Sequence, residues 1–477
     1  MEKSKNRRRF LKIAGQSIWL APVISSLAGC GSTKIATQSE QRNDIKNSII
    51  DDRRKSKLVL NVRDFGATGD GKTKDTIALQ QAIDRCSVLG GGEVFVPAGE
   101  YLTGAIALKS NTILRLDKEA AIIGSPDFED YPVSQLRWEG KWVKSHVSLI
   151  YAFDADNIGI VGPGKIIGNP ALGGRPNATN PLRHPALIEP VNCKNIHFEN
   201  FSTSYYLMWS IHPTLCENIF IKNLTIRSTG GNGDGIDIDS CKQVRIDGCD
   251  IETGDDCISL KSGHGMEGYS LLQCTEDVHI TNCTFADSIF ACIGIGSETS
   301  GGIRNVRIEN CRFTKAKTFA IYIKSRPGRG AFIEDIACDN LDIAGMEGGF
   351  LRFNILNSGL QDQDPVPGNE GIPTTKNFSF SNIRVTDVPV LVEGTAIHSN
   401  KPLEGFALTD VSGTCKKGIF LANIRNAKIR NIQVTGYTGS LVNIYNVAGT
   451  GLEKATALNP TKIPDPIPTP QQPYQLH

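Results

Sequence analysis

The sequence has 477 residues, with 48 glycines but only 4 Met and 4 Trp, and its formal net charge is +1. Residues 1–29 hold six Lys or Arg and one acid, which leaves 45 bases against 49 acids in the rest. This mildly acidic remainder argues against a nucleic acid as partner. One elongated solenoid, expected to be a monomer, accounts for the length without a division into several domains.

Residues 1–30 are predicted to be an export signal. The run Arg7-Arg8-Arg9-Phe10-Leu11-Lys12 resembles a twin-arginine signal, and the apolar run that follows is too short to span a bilayer comfortably. The signal ends in Leu27-Ala28-Gly29-Cys30, which is similar to a bacterial lipobox. We expect an exported bacterial protein (periplasm or cell surface), held to the membrane only by a lipid on Cys30, with residues 31–57 as a flexible tether. The alternative is an ordinary cleaved signal with an incidental cysteine.

Residues 58–125 have the pattern of an N-terminal cap. Apolar residues from Thr76 to Leu89 have helical spacing, Gly90–Gly92 end that helix, and a strand is predicted from Glu93. A solenoid needs a different face at its open end, so we expect this short helix to cover it. The glycines follow the helix instead of opening it, which is not the arrangement of a phosphate-binding loop.

A six-residue phrase that alternates apolar and polar residues recurs in the centre of the chain. Four clear copies begin at Gly235, Cys257, Cys292 and Ala320, separated by 22, 35 and 28 residues, and Trp209–His212 is a looser copy. Such alternation and spacing indicate stacked strands. We therefore predict an all-β fold, a right-handed parallel β-helix over residues 58–455. An antiparallel sandwich fits less well, because the repeats lack tight two-residue hairpin turns.

Stacking of the copies predicts two columns of outward-facing side chains along a binding groove. One column is Ser210, Asp237, Ser259, Gly294 and Tyr322, and the other is His212, Asp239, Lys261, Gly296 and Lys324.

Two further features of the sequence are its cysteines and its proline-rich C-terminal residues. Twelve cysteines follow Cys30, and they fit either disulfides of an exported protein or stacked small residues inside the coils. No Cys-x-x-Cys pair is present, so no zinc site is predicted. Residues 456–477 are rich in proline and are expected to form an extended or disordered tail.

Three acids stand just ahead of two copies of the phrase. Asn232-Gly233-Asp234 precedes the first copy and Gly254-Asp255-Asp256 the second, about one coil apart. Strands one coil apart lie roughly 4.7–4.9 Å from each other, so the three carboxylates should cluster. Crowding separates their pKa values, which suits the acid and base of glycoside hydrolysis. Asx-turns at the coil corners or a calcium site are the alternatives.

With Ile323-Lys324, these acid motifs resemble the signature of glycoside hydrolase family 28, the polygalacturonase family. The stretches Val62–Ala67, Tyr101–Gly104 and Trp209–Pro213 are also similar to that family. The resemblance covers residues 58 to about 340 and implies a parallel β-helix that hydrolyses a pectic polysaccharide or oligosaccharide by inversion, without metal or cofactor.

The resemblance also implies the role of each site residue. Asp255 is the general acid, and Asp234 and Asp256 hold and activate water. Substrate-binding residues are expected to be Asn232, Asp237, Tyr322, Lys324 and Arg326. An inverting acid and base are expected to lie roughly 6.5–9.5 Å apart.

The chain departs from the family pattern at three places. Gly233 replaces the central Thr of Asn-Thr-Asp, Phe290-Ala291-Cys292 stands where Gly-His-Gly is expected, and Tyr322 replaces the Arg of Arg-Ile-Lys. Arg326 or Arg329 is a candidate to replace that arginine, Tyr322 to stack on a sugar ring, and His264 to reach the groove. These changes favour a linkage of rhamnogalacturonan or of a decorated galacturonan over plain polygalacturonate.

Two other functions fit parts of the sequence. A β-helix lyase or epimerase needs a base to abstract a proton beside the carboxylate, and no basic residue is evidently placed for it. A catalytically degenerate sugar-binding solenoid fits the missing histidine and arginine, but it has no use for three crowded carboxylates.

Overall fold

The computed structural model describes residues 58–173, 176–177, 181–205, 208–228, 230–466 and 468. The predicted signal, with Cys30, and the tether lie outside this part of the chain. The described residues form two α-helices, α1 (Thr76–Val88) and α2 (Gly265–Leu271). Short 3-10 turns cover Val62–Phe65, Phe128–Asp130, Pro170–Leu172, Gly368–Gly371 and Pro460–Lys462.

Strands make up most of the described chain. In chain order they are β1 (Val59–Asn61), β2 (Asp70–Lys74), β3 (Gly92–Val96), β4 (Gly99–Thr103), β5 (Ile106–Ala107), β6 (Thr112–Leu116), β7 (Ala120–Gly124), β8 (Val133–Trp138), β9 (Lys141–His146), β10 (Ile150–Phe153), β11 (Asp156–Val161), β12 (Lys165–Ile167), β13 (Ile188–Val191), β14 (Lys194–Glu199), β15 (Ser202–Tyr205), β16 (Glu217–Lys222), β17 (Thr225–Ser228), β18 (Ile236–Asp239), β19 (Lys242–Asp247), β20 (Asp250–Thr253), β21 (Ile258–Lys261), β22 (Thr275–Thr281), β23 (Thr284–Ser288), β24 (Ile293–Ile295), β25 (Ile303–Phe313), β26 (Phe319–Lys324), β27 (Phe332–Ala344), β28 (Gly349–Asn354), β29 (Thr374–Ala396), β30 (Leu403–Thr435), β31 (Val442–Thr450) and β32 (Thr456–Ala457).

These strands pair in parallel with strands one coil away and form three stacks. The first runs through β1, β3, β6, β11, β14, β16, β19 and β22, and the second through β2, β4, β7, β12, β15, β17, β20 and β23. The third contains β5, β10, β13, β18, β21, β24, β26 and β28. The longer strands from β25 onward continue the stacks round the corners. The predicted parallel β-helix is confirmed.

Several coils turn where an asparagine adopts a left-handed backbone. Asn195 and Asn218 have φ of 56° and 59°, a region that Asn tolerates better than most residues. The Asn218 side chain donates to Asn195 Oδ1 at 2.6 Å, so the corners also bond to one another. The next apolar residues, Ile196 and Ile219, stack in register inside the coil. Such an asparagine therefore marks the corner just before a buried isoleucine.

The third stack carries the repeated phrase in the predicted register for its four clear copies. Asp237 pairs with Ser259, Ser259 with Gly294, and Gly294 with Tyr322. The register predicted for the looser copy is wrong. Ile211 pairs with Ile236, and Thr214 pairs with Asp239. His212, and not Ser210, therefore lies in the row of Asp237.

One element departs from the parallel pattern. β8 and β9 form an antiparallel hairpin with its turn at Glu139 and Gly140, both of positive φ. Its Arg137 is buried and lies 3.5 Å from the carboxylate of Asp239 at the end of β18. Trp142 N donates to Glu267 of α2 at 3.2 Å. This hairpin therefore extends from an early coil to the middle of the third stack, and no repeat predicted it.

Helix α1 forms where the spacing predicts it and buries Leu79, Ala82 and Ile83 in the main core. Its role as a cover for the open end stays a prediction. At the other end, the predicted tail still contributes β32, which pairs with β31. All twelve described cysteines are free and buried, which agrees with the stacked alternative and not with disulfides. Within the described residues, no helix is both long and apolar enough to cross a membrane.

Candidate active site

The three acids meet at the start of two neighbouring strands. Because Ile236 pairs with Ile258, Asp234 lies opposite Asp256, and Gly235 N donates to Asp256 O at 3.1 Å. One carboxyl oxygen from each of Asp234, Asp255 and Asp256 lies within 4.8 Å of the other two. The predicted cluster of carboxylates is thus present in the structure.

The acids open into a cavity of about 370 Å³. Its wall comes from consecutive coils of the third stack and from the loops that follow their strands. The residues that line it are Glu139, Trp209, Asn232, Asp234, Asp255, Asp256, Lys261, His264, Phe290, Gly296, Ser297, Glu298, Lys324, Arg329, Gly359 and Leu360. Among the predicted site residues, the catalytic trio, Asn232 and Lys324 therefore reach the cavity.

Asp255 has the properties of a proton donor. Burial raises its pKa, the charges of Asp234 and Asp256 add to the effect, and the resulting pKa is about 8. Its side chain remains partly exposed, whereas Asp234 and Asp256 are buried. A carboxyl group that is protonated at neutral pH and reachable from the cavity suits general-acid chemistry.

Asp256 is held as an acceptor. Its Oδ2 accepts hydrogen bonds from Lys324 Nζ at 2.8 Å and from Ser259 Oγ at 3.0 Å, and its Oδ1 accepts one from Ala291 N at 3.1 Å. These three donors fix the orientation of the carboxylate. Gly294 leaves the space they need, because a Cβ there would lie 2.3 Å from Asp256 Oδ2.

Asp234 is coupled to a second buried acid. Burial raises its pKa well above the ordinary range, and the charge of Asp237 raises it further. Asp237 is 0 % exposed, and burial raises its own pKa to about 7 against the opposing charge of Lys261, which lies 3.4 Å away. Asp237 does not line the cavity, and its predicted role in substrate binding stays a prediction. It lies close to Asp234, whose pKa its charge raises.

Two other predicted substrate-binding residues do not line the cavity, and their role in binding stays a prediction. Tyr322 is buried, does not line the cavity, and stacks beside Phe290 with ring centroids 5.9 Å apart. Arg326 also lies outside the lining, where its Nη1 donates to Gly359 O at 2.6 Å. Both residues support the wall from behind.

Arg329, the other candidate for the missing arginine, does line the cavity but is fully bonded to the wall. Its Nε donates to Ser297 O and its Nη2 to Leu360 O, both at 2.9 Å, and its Nη1 pairs with Asp362. The same Asp362 lies 2.6 Å from Nδ1 of His264. Arg329 thus joins two loops, and it is not a free cation.

Ala291 stands at the position of the family histidine. The residue before it, Phe290, lines the cavity, and Lys324 Nζ lies 4.7 Å from the centroid of its ring. The next residue, Ala291, supplies its backbone N–H to Asp256. His264 does reach the cavity, as the alternative in the sequence proposed, from the loop before α2.

Sequence reasoning missed four residues of the wall. Lys261 was placed in a column but not in the site, and it lies 3.7 Å from Glu298 and 3.4 Å from Asp237. Glu298 follows the third copy of the phrase, where no pattern marks it. Glu139 and Leu360 come from the hairpin and a late loop, which carry no repeat signal.

The trio also has the composition of a cation site. A hard cation is bound by ionised oxygen ligands. One of these oxygens, Oδ2 of Asp256, is bonded to Lys324 Nζ at 2.8 Å, so a cation would compete with this lysine.

The 4.8 Å limit refers to one oxygen of each acid. The roughly 6.5–9.5 Å of an inverting pair refers to the separation of the two carboxyl groups. The expected separation and the stereochemistry therefore stay predictions.

Comparison with known proteins agrees with this geometry. The model of glycosyl hydrolases family 28 matches residues 86–397, more than half of the chain. A probable polygalacturonase of Vitis vinifera is 30% identical, covering 73% of each chain. An exo-poly-alpha-D-galacturonosidase of Dickeya chrysanthemi is 26% identical over 80% of this chain and 75% of that one. The crystal structure of a hyperthermoactive exopolygalacturonase from Thermotoga maritima superposes with a TM-score of 0.70 at 26% identity, covering 83% of this chain and 96% of that one.

Proposed function

Because this chain belongs to glycosyl hydrolases family 28, and is therefore a glycoside hydrolase, we propose that it cleaves a galacturonosyl bond of a pectic polysaccharide or oligosaccharide. The single observation that carries the catalytic assignment is the difference between two adjacent acids. Asp255 is partly exposed with a pKa of about 8, whereas Asp256 accepts three hydrogen bonds.

In the proposed reaction Asp255 donates its proton to the oxygen of the departing sugar. As the glycosidic C–O bond breaks, a water molecule attacks the anomeric carbon, and Asp256 accepts the proton that this water loses. Asp234 holds the water by a hydrogen bond beside Asp256. Ser259 lies between them, 3.0 Å from Asp256 and 3.2 Å from Asp234, and keeps the two carboxyls in place.

We further propose inversion in a single displacement, because the water-holding acids Asp234 and Asp256 give water a place beside the anomeric carbon. A covalent intermediate would instead need one of them to attack that carbon directly. The anomer first released, followed by NMR before mutarotation, distinguishes the two courses.

The alternatives from the sequence have less support. A lyase or epimerase needs a base beside the carbon that bears the carboxylate, and Lys261 and Lys324 each already pair with carboxylates. The degenerate binding module remains a distinct outcome of the activity test. Export and anchoring through Cys30 also remain proposals, and metabolic labelling with palmitate of the wild type and of Cys30→Ala tests the anchor.

The activity test uses the full chain with polygalacturonate, rhamnogalacturonan and their oligosaccharides, in the presence of a chelator. Asp255→Asn should lower kcat about 10²–10⁴-fold. Asp250→Asn is the control of matched charge, because Asp250 is exposed on β20 and pairs with Arg227. Saturated products that depend on Asp255 support hydrolysis, unsaturated ends support a lyase, and retained binding without products supports the degenerate module.

A further inference from the structure

His264 lies in the short loop between β21 and α2, and the backbone of this loop is fixed on two sides. On one side, Gly263 O accepts a hydrogen bond from Ser300 N at 3.1 Å. On the other side, the β8–β9 hairpin packs so closely that a Cβ at Gly140 would lie 2.8 Å from the Cβ of His264. The backbone that carries this imidazole is therefore held in place by the protein itself.

The side chain of His264 does not serve the helix that follows it. His264 occupies the N-cap position of α2, but its side chain makes no capping hydrogen bond there. Its Nδ1 instead lies 2.6 Å from Oδ1 of Asp362, whose side chain is completely buried. The other oxygen of Asp362 pairs with Nη1 of Arg329, and two loop carbonyls hold that arginine in turn. This series of paired groups sets the direction of the imidazole ring.

The second ring nitrogen, Nε2, is left for the cavity. Nδ1 has almost no exposed surface, yet 13 % of the His264 side chain is exposed, so the exposed part is the rest of the ring. His264 lines the cavity, and the described part of the chain gives its Nε2 no hydrogen-bond partner. A polar atom with a fixed direction and no protein partner at a cavity wall is available to a ligand.

The partner of Nδ1 decides what Nε2 can do. A carboxylate paired with an arginine accepts hydrogen bonds, so the neutral imidazole carries its hydrogen on Nδ1. Nε2 then has a free lone pair, and it accepts a hydrogen bond from a donor such as a sugar hydroxyl. The basic groups of Lys261, Lys324 and Arg329 on the same wall can only donate, and each already pairs with an acid of the protein.

We propose that Nε2 of His264 accepts a hydrogen bond from a sugar hydroxyl in the cavity, with Asp362 as the residue that positions the ring. This inference rests on the proposed hydrolysis, because it assigns a substrate-binding residue to the same cavity. At the family position of the histidine, Ala291 offers only its backbone N–H, which it donates to Asp256. The chain thus presents an imidazole to the cavity from a different loop.

The test compares two variants that each retain one end of the imidazole. His264→Asn can place an amide nitrogen near the position of Nδ1 and keep the contact with Asp362, but it does not reach as far as Nε2. His264→Gln can place its amide oxygen near the position of Nε2, but it loses the contact with Asp362. Both are made in the full chain with Asp255→Asn, and isothermal titration calorimetry measures Kd for tetragalacturonate and for a rhamnogalacturonan tetrasaccharide.

The two variants should separate affinity from stability. His264→Asn should raise Kd about tenfold, the loss of one hydrogen bond, and leave the urea midpoint of unfolding unchanged. His264→Gln should raise Kd less than about threefold and lower the urea midpoint, because Asp362 loses a partner. His279→Asn is the control, since His279 is a histidine of β22 that pairs with Glu309 outside the cavity lining, and its Kd should not change.

Each outcome decides one question. An unchanged Kd in His264→Asn, or an equal loss of affinity in both variants, gives His264 a structural role only and overturns the inference, while the proposed hydrolysis stands. If the wild type cleaves but its Asp255→Asn form binds too weakly to titrate, KM must rise in the order wild type, His264→Gln, His264→Asn, and any other order overturns the inference. A wild type that neither binds nor cleaves these sugars overturns the proposed hydrolysis, and the inference with it.

Discussion

Replacing Gly294 by alanine tests whether the position of Asp256 controls catalysis. Gly294 lies in β24, between Ser259 and Tyr322 in the third stack, and its backbone does not need a positive φ. The effect of an added methyl group is therefore steric and not a matter of backbone strain.

The size of the effect follows from the distances. The new Cβ would lie 2.3 Å from Asp256 Oδ2, about 1.1 Å inside an ordinary 3.4 Å contact, and 3.2 Å from Lys324 Nζ. The atom displaced is the end of a side chain, so the stability loss should stay near the lower end of overpacking costs, about 1 kcal/mol. A displacement of about 1 Å at a reacting group can lower the rate about 100-fold.

We expect Gly294→Ala to lower kcat about 100-fold while the protein remains folded. Steady-state kinetics with the best pectic oligosaccharide measures the first quantity, and urea unfolding followed by circular dichroism measures the second. Gly231→Ala is the matched control, because a Cβ at Gly231 meets no atom within 4 Å. A Gly294→Ala enzyme with wild-type kcat would show that the Asp256–Lys324 geometry is not needed for the reaction.

Three further predictions follow from the same groups. In the pH profile of kcat/KM, activity should fall above about pH 8, because Asp255 loses its proton there. The charge of Asp234 raises the pKa of Asp255, so Asp234→Asn should move this loss of activity to lower pH. The pKa of Asp255 is higher in the folded state than in the unfolded state. The stability contributed by this group is therefore complete below about pH 4 and is lost as the pH rises to about 8. Measured by urea unfolding, Asp255→Asn should become more stable than the wild type as the pH increases through this range. Arg329→Lys should destabilise the protein by about 3 kcal/mol in the same assay, because a lysine cannot replace three nitrogens bonded to Ser297, Leu360 and Asp362; a loss below about 0.5 kcal/mol would contradict the role given to Arg329.

The sequence was sufficient for those features that repeat. Alternation with a period of two predicted which side chains turn into the coils, although β18, β21 and β26 are buried on both faces. The copies from Gly235 onward predicted the pairing of Asp237, Ser259, Gly294 and Tyr322. The acids that precede two copies could be placed together for the same reason. The strand spacing fixes their separation once the register is known.

Errors arose where strand pairing is short or absent. The segment near Ser210 forms only isolated bridges, so its alternation did not determine its register. Arg326 and Arg329 lie in a loop after β26, where no period sets the direction of a side chain, and the structure turns only Arg329 to the cavity. The alternating pattern placed Asp237 on the outward side of its strand, but it did not show that this side of β18 is buried as well.

The acids of the cavity and the wall opposite them come from different parts of the chain, and this has a consequence for how such enzymes diversify. The proton-transfer groups come from two adjacent coils, whereas the wall that holds Glu298 and Leu360 comes from loops after β24 and β28. Insertions or substitutions in those later loops leave the coils with the acids unchanged. Natural variation can thus alter which polysaccharide is recognised while the bond-breaking chemistry is inherited intact, and recombination of loops between relatives is a practical route to new pectin-degrading specificities.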